Sequence, residues 1–599
     1  MRGFRWQLLA LVFAAVTFGV VLWTRPQPTL PPPSPTATVP AENTTIAVTP
    51  ESSATPLLPT STPNQITESN TVPAVVTDVP TFREALVGDV SRLNPLLRGT
   101  NDAQDAITSL IFEGLVRTNQ YGEPIPALAS EWVIANDRIE YVFRLRQDIL
   151  WQDGTPFTSR DVAFTMDLLR DPHFPGDPQV GEFWQTVETE VLGDYLIRFR
   201  LTQPLGSFLD AMRIGILPEH VLRGTSAADL PTHPFNLSPV GTGPYQLEAI
   251  RTMDDNQISV IDLRVAPTYQ LRPEGQRGYA VERMRFQVYN NFDEALAAFD
   301  AGEVDGLTTP SSENRPTLLS NVDTQVYTKL EPILGVLIFN WRRTEPPENA
   351  DTETAINPFR EERVRNALAL SLDRRVIIER NLLNRAVPAN NPLLPGMWAY
   401  AADIVFPTVN LARASELLEN ANLDTGSEDE AAPLLTFTIL TPNRPEQVNL
   451  AQEIANQWGA LRVEATIEAV DEATYQERLQ SGDFDTVLVE LSLGRSADPD
   501  VYSFWHQGQF PDGNNYGAVD DRRISETLER ARRDPFGVNR VEHYAQFQQA
   551  FVDRAVAIPL YYPLYTYTVS DRVDGVQLGF VGEPADRFRN LRDWKLNDE

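Results

Sequence analysis

The chain has 599 residues, with 50 Lys and Arg against 82 Asp and Glu, a formal net charge of −32. That balance argues against a nucleic-acid partner, because phosphate contacts need clustered cations and a positive field. Cysteine is absent, which removes disulfides, thiolate metal sites and cysteine nucleophiles. The five histidines, His173, His220, His233, His506 and His543, never fall at metal-ligand spacing, so no metal and no cofactor is expected. The length predicts two to four domain-sized units.

Residues 1–25 open with a short basic head carrying Arg2 and Arg5, followed by an uncharged apolar run from Leu8 to Trp23. Trp6 and Trp23 bracket the run as interfacial aromatics do, and the two arginines would keep the head in the cytoplasm. The segment reads as one transmembrane anchor, with a cleaved signal peptide as the rival reading. Against cleavage, Val21–Arg25 is too bulky for a small-x-small site. From 26 to 80 the composition shifts abruptly: 13 of the 47 prolines fall here among Ser, Thr and Ala. Such a stretch cannot bury enough apolar surface to fold, and it reads as a disordered, semi-extended linker.

The body beginning near Phe82 mixes both hydrophobic periods, which predicts an α/β fold. Ile139–Arg146 and Tyr195–Leu201 alternate as half-buried strands. Between them, Thr158 with Asp161 three residues on forms a capping-box pattern that opens a helix. Val240–Tyr245 carries two glycines and a proline but lacks the pattern of a phosphate loop, so a tight turn into a strand is expected. Leu334–Trp341 is a continuous apolar run suited to a central strand. Alternating helices and strands follow to Leu491, and strand character returns at Ile558–Tyr562 and Tyr565–Val569. A chain that leaves one lobe near 345 and returns near 558 would build two lobes around a hinge.

Several short segments then occur in a characteristic order. They include Leu93–Leu96, Phe112–Leu115, Trp151–Val162, Gly241–Tyr245, Phe339–Asn340, Arg363–Leu368, Pro395–Tyr400, Ala497–Asp500, Asn514–Tyr516 and Ala557–Tyr561. Together they make the chain resemble the extracytoplasmic solute-binding proteins of dipeptide, oligopeptide and nickel ABC importers, family 5 of that class. The resemblance implies a two-lobed, periplasmic-binding-protein-like type II fold over 82–599. The first lobe would span 82–345 with an extra subdomain at about 120–230, the second 346–557, and 558–599 would return to the first lobe. It also implies a monomer that traps a peptide or other small solute and delivers it to an importer permease. No covalent chemistry is needed, and the chain shows no hydrolase motif such as Gly-x-Ser-x-Gly or His-Glu-x-x-His. A stand-alone sensor ectodomain, or a binder of oligosaccharide or chelated metal, are the alternative readings.

Seven residues are candidates for ligand contact: Asn340, Trp398, Tyr400, Arg495, Asp498, Trp505 and Tyr516. In peptide-binding relatives an aspartate before the Asp-Pro pair commonly meets the ligand's α-ammonium. One alignment puts Arg495 at that place, which would favour an anion through its fork of donors. Another makes Asp498 the candidate, which would favour an amine. Trp398 and Tyr400 follow Pro395-Gly396 on a loop, where aromatics serve as stacking surfaces as readily as core. Trp505 and Tyr516 flank a loop rich in Gly, Pro and Asn.

Overall fold

The computed structural model describes residues 79–597, apart from 98–101, 254–256, 310–313, 321–323, 343–356, 384, 422, 424–431 and 536. The expected anchor, and the linker up to residue 78, lie outside the described residues. Among the described residues no helix is long and apolar enough to cross a membrane. Every described residue belongs to one unit, Val76–Glu599.

The chain enters on strand β1 (Thr81–Val87) and then forms a short hairpin, β2 (Val116–Thr118) and β3 (Pro124–Pro126). The next stretch builds a separate antiparallel sheet from β4 (Ala129–Ile134), β5 (Glu140–Leu145), β6 (Glu188–Gly193) and β7 (Leu196–Arg200), in the order β4-β5-β7-β6. Both alternating segments read from the sequence are strands here. The helix Ser159–Arg170 lies between them, and its capping box is formed. The Thr158 amide donates to Asp161 at 2.9 Å, and the Arg160 amide donates to the Thr158 hydroxyl at 3.3 Å.

The Gly241–Tyr245 segment is a turn for a reason the spacing alone did not reveal. It closes the end of the helix Asp102–Ile111, whose last carbonyls need donors from outside the helix. The Gly243 amide donates to the Ile111 carbonyl at 2.8 Å. A Cβ at Gly241 would lie 1.8 Å from that same oxygen, so no other residue fits. Gln152, from the Trp151–Val162 motif, accepts from the Gly241 amide at 2.9 Å and so ties the two motifs together.

Strands β8 (Tyr245–Thr252), β9 (Ile258–Val265), β10 (Arg283–Tyr289), β11 (Gly306–Thr308) and β12 (Thr324–Leu330) complete the first half. The second half contains β13 (Ile333–Phe339), β14 (Ala386–Pro388), β15 (Leu435–Pro442), β16 (Val463–Val470) and β17 (Thr486–Ser492). The long β18 (Ala557–Ser570) joins them into one path, β16-β15-β17-β13-β18-β11-β1-β10-β9-β8. Its first part pairs with β13, placing Tyr561 opposite Gly335, and its last part pairs with β12, placing Leu564 opposite Leu330.

The apolar core divides at the same place. One cluster runs from Leu334 to Tyr562, and the other combines Phe82–Phe286 with Tyr565–Trp594. The two cores define two lobes, crossed by Glu331-Pro332 and by Tyr562-Pro563. Proline lacks an amide donor, so neither Pro332 nor Pro563 donates to the ladder where the lobes meet, and the two crossings are tied by the Glu331 amide donating to the Pro563 carbonyl at 2.9 Å. The passage point expected near 345 falls outside the described residues. The register carries the chain into the second core already at Ile333, because β13 pairs with β17 along its whole length.

Candidate solute-binding crevice

A cavity of about 610 Å³ opens on the second lobe and is closed on one side by Gln179, from the helix Pro178–Gln185 beside the small sheet of the first lobe. Its floor is the outer face of β17. The strand's period of two sends Val487 and Leu491 into the core and presents Glu490 and Ser492 outward. Tyr475, Phe504 and Tyr516 supply aromatic wall. Tyr475 is held by its own hydroxyl, which donates to the Leu488 carbonyl at 2.7 Å. Glu490 is oriented by Tyr561, whose hydroxyl donates to it at 2.8 Å. That geometry requires Gly335 beneath the Tyr561 ring, because a Cβ there would sit 2.4 Å from the ring.

Glu331, at the first crossing, is pushed up to about 7 by burial and by the charges of Glu490 and Asp102. Asp210 is also pushed up to about 7, first by burial and then by the charge of Asp498. Each acid binds its proton more tightly in the folded protein than in the unfolded chain, where ordinary values of 4.5 and 3.8 apply. Their contribution to stability is therefore complete below those ordinary values and is lost as pH rises through about 7. The expected result is that a Glu331→Gln/Asp210→Asn variant shows a flatter decline of urea-unfolding free energy between pH 5 and 8 than the parent. An unchanged slope would count against both shifts.

The loop after β17 docks on the first lobe. Ser496 donates to Asp210 at 2.7 Å, and Arg213 donates to the Arg495 carbonyl at 2.7 Å. The Arg495 guanidinium lies 3.4 Å from Asp105 and 3.7 Å from Glu583, with 54% of its side chain exposed. It bridges the lobes as an ion pair. Asp498 is held by Arg540 through two bonds of 2.6 and 2.7 Å. Both of its oxygens are thus engaged, so the structure gives Asp498 an internal cation rather than a ligand amine.

Of the seven residues proposed from sequence, Tyr516 lines the cavity. Trp398 lies over the Arg540 guanidinium, 5.0 Å from its ring centroid, and meets Tyr544 edge-on. Tyr400 is half-buried against the second core. Trp505 is fully buried and packs edge-on against Phe551, so it presents no surface to a solute. Asn340 is buried as well. Its amide donates to the Gly482 and Phe484 carbonyls at 3.0 and 2.7 Å, and its oxygen accepts from the Arg342 amide at 2.9 Å, so it ends β13. Glu490, Ser492, Tyr475 and Gln179 were not singled out. The signal for the first two was present, since they are the polar residues on alternate positions of an otherwise apolar strand. Among the described residues no group of three His, Asp or Glu side chains could hold a metal ion.

Two α/β lobes crossed twice by paired strands, with a cavity reached by a helix beside the separate four-stranded sheet, match the class of two-lobed solute-binding proteins. The model of the bacterial extracellular solute-binding proteins, family 5, middle region, matches residues 123–514, and the chain belongs to that family. It is 24% identical to the oligopeptide-binding protein AppA of Bacillus subtilis over 85% of this chain and 90% of that one. Identity to the dipeptide-binding protein of Escherichia coli is 23%, over 84% and 93% of the two chains. Among solved structures, the substrate-binding protein CtaP of Listeria monocytogenes superposes with a TM-score of 0.70 at 20% identity, covering 86% of this chain and 99% of that one. AppA in complex with a nonapeptide gives 0.61 at 21% identity, over 86% and 99%. Membership makes the chain an extracytoplasmic binding protein of transport rather than an enzyme.

Proposed function

We propose that the protein captures a peptide or peptide-like solute in the crevice over β17 and delivers it to the permease of an ABC importer. The observation that carries this reading is the cavity faced from both lobes, on a chain whose relatives are named for peptide binding. Glu490, Ser492 and Tyr516 would meet the solute from the second lobe, and Gln179 would approach from the first as the crossings bend. Ligand that contacts both lobes only in the closed state shifts the open–closed equilibrium by its differential affinity. The basic head and apolar run of residues 2–23 support a membrane tether, and the proline-rich segment supports a spacer holding a monomeric body away from the surface.

Isothermal titration with short peptides, alongside X-ray scattering, tests the reading. Binding should lower the radius of gyration, and saturation without compaction would overturn lobe closure. Tyr516→Ala should weaken peptide binding at least tenfold, about 1.4 kcal/mol. An unchanged dissociation constant would remove Tyr516 from the site.

A further inference from the structure

The first lobe contains a second cavity, of about 490 Å³, lined only by residues before 280 and after 582. Among the described residues none of the second lobe reaches it, so it is separate from the crevice over β17. Its charges are unequally employed. Glu113 is taken by Arg272 at 2.7 Å, Glu274 by Arg146 at 2.6 Å, Glu583 by Arg213 at 2.9 Å and Asp586 by Arg589 at 2.5 Å. Two of these partners, Arg146 and Arg272, stand outside the lining, so among the described residues Arg117, Arg277 and Arg592 are left in the wall without an ion pair, beside Asp593 alone.

Arg592 makes the strongest demand. Its Nε and Nη2 are buried and have no hydrogen-bond partner among the described residues, although a guanidinium is a donor that cannot be neutralised by losing its proton. Arg592 and Arg117 line the same space as the Tyr279 hydroxyl. Tyr269 and Tyr279 add apolar ring surface beside them, packed edge to face with ring centroids 6.2 Å apart. Buried donors left unmet are costly, and an oxyanion is the acceptor that meets a guanidinium through two parallel bonds. The volume suits a small organic molecule.

We propose that this cavity is a second ligand site, selective for a small anion bearing carboxylate or phosphate groups, with Arg592 as its inner donor and Arg117 and Arg277 at its mouth. The test is calorimetric titration of the full chain with citrate and, separately, with inorganic phosphate, both at ionic strength matched with chloride. At least one anion should bind saturably, and which arm responds assigns the carboxylate or the phosphate. Arg592→Gln should weaken that binding at least tenfold while peptide binding in the β17 crevice is unchanged. The Arg117→Gln/Arg277→Gln variant, altered only at exposed positions, should weaken it as well and decides the matter if the Arg592 variant does not fold. Absence of saturable heat with both anions would overturn the proposal. So would an equal response in the parent and the variants, which is what general exclusion of such anions from protein surfaces produces.

Discussion

Replacing Arg540 with methionine is expected to destabilise the protein by about 3–5 kcal/mol, the range for removing one partner of a buried ion pair. The side chain is 4% exposed and gives both terminal nitrogens to Asp498, while its Nε donates to the Ala531 carbonyl at 3.0 Å. Its planar face lies under Trp398 and Tyr544, at 5.0 and 5.6 Å from the two ring centroids. Methionine keeps much of the volume and removes the charge, so the loss would measure an uncompensated carboxylate rather than a hole. That carboxylate would face Asp210 across the lobe junction, where its charge already raises the Asp210 proton affinity. Urea unfolding at pH 7 measures the effect. Asp498→Asn in the same chain should recover a large part of it, since a neutral amide carries a far smaller desolvation cost. A loss below 1 kcal/mol for the single variant would mean that the junction rearranges to hydrate Asp498.

Arg587→Met should act as strongly, for the same reason in the other lobe. Arg587 and Glu84 are 1% and 0% exposed and are joined at 2.7 Å. The second Glu84 oxygen accepts from the Tyr567 hydroxyl at 2.9 Å, and Arg587 also donates to the Pro584 carbonyl at 2.6 Å. Gly306 makes room for this carboxylate, because a Cβ there would lie 2.2 Å from it. The pair fastens the turn Pro584–Phe588 to β1, and with it the C-terminal wall of the second cavity. A loss of about 3–5 kcal/mol is expected in urea unfolding, with partial recovery in Glu84→Gln/Arg587→Met. Equal stability of parent and single variant would show that the pair contributes nothing beyond an apolar contact.

Much of the local structure was legible in the chain because it rests on contacts a few residues long. The Thr158–Asp161 capping box is set by neighbours within one helical turn. The alternation in Glu140–Leu145 and Leu196–Arg200 follows from a period of two and one buried face. The order of short motifs carried the family, and the family carried the two-lobed class.

The candidate site was far less legible. Asp498 looked available because its partner, Arg540, stands 42 residues away on another helix. Trp505 looked like a loop aromatic until the helix Gly537–Asp553 covered it with Phe551. Glu490 passed as an ordinary strand residue, and only β18 brings Tyr561 beside it. In each case the residue type was plain and its direction was not.

Composition, net charge, helix caps, strand periods and motif order are properties of neighbouring residues, and the sequence by itself determined them. Where the chain crosses between lobes was decided by pairing Leu330 and Gly335, on either side of Pro332, with Leu564 and Tyr561 of a strand more than two hundred residues later. Which charges are spent internally and which are left for a ligand was decided in the same way. A side chain's role depends on what packs against it, and long-range packing brings together partners whose spacing along the chain carries no trace of the meeting.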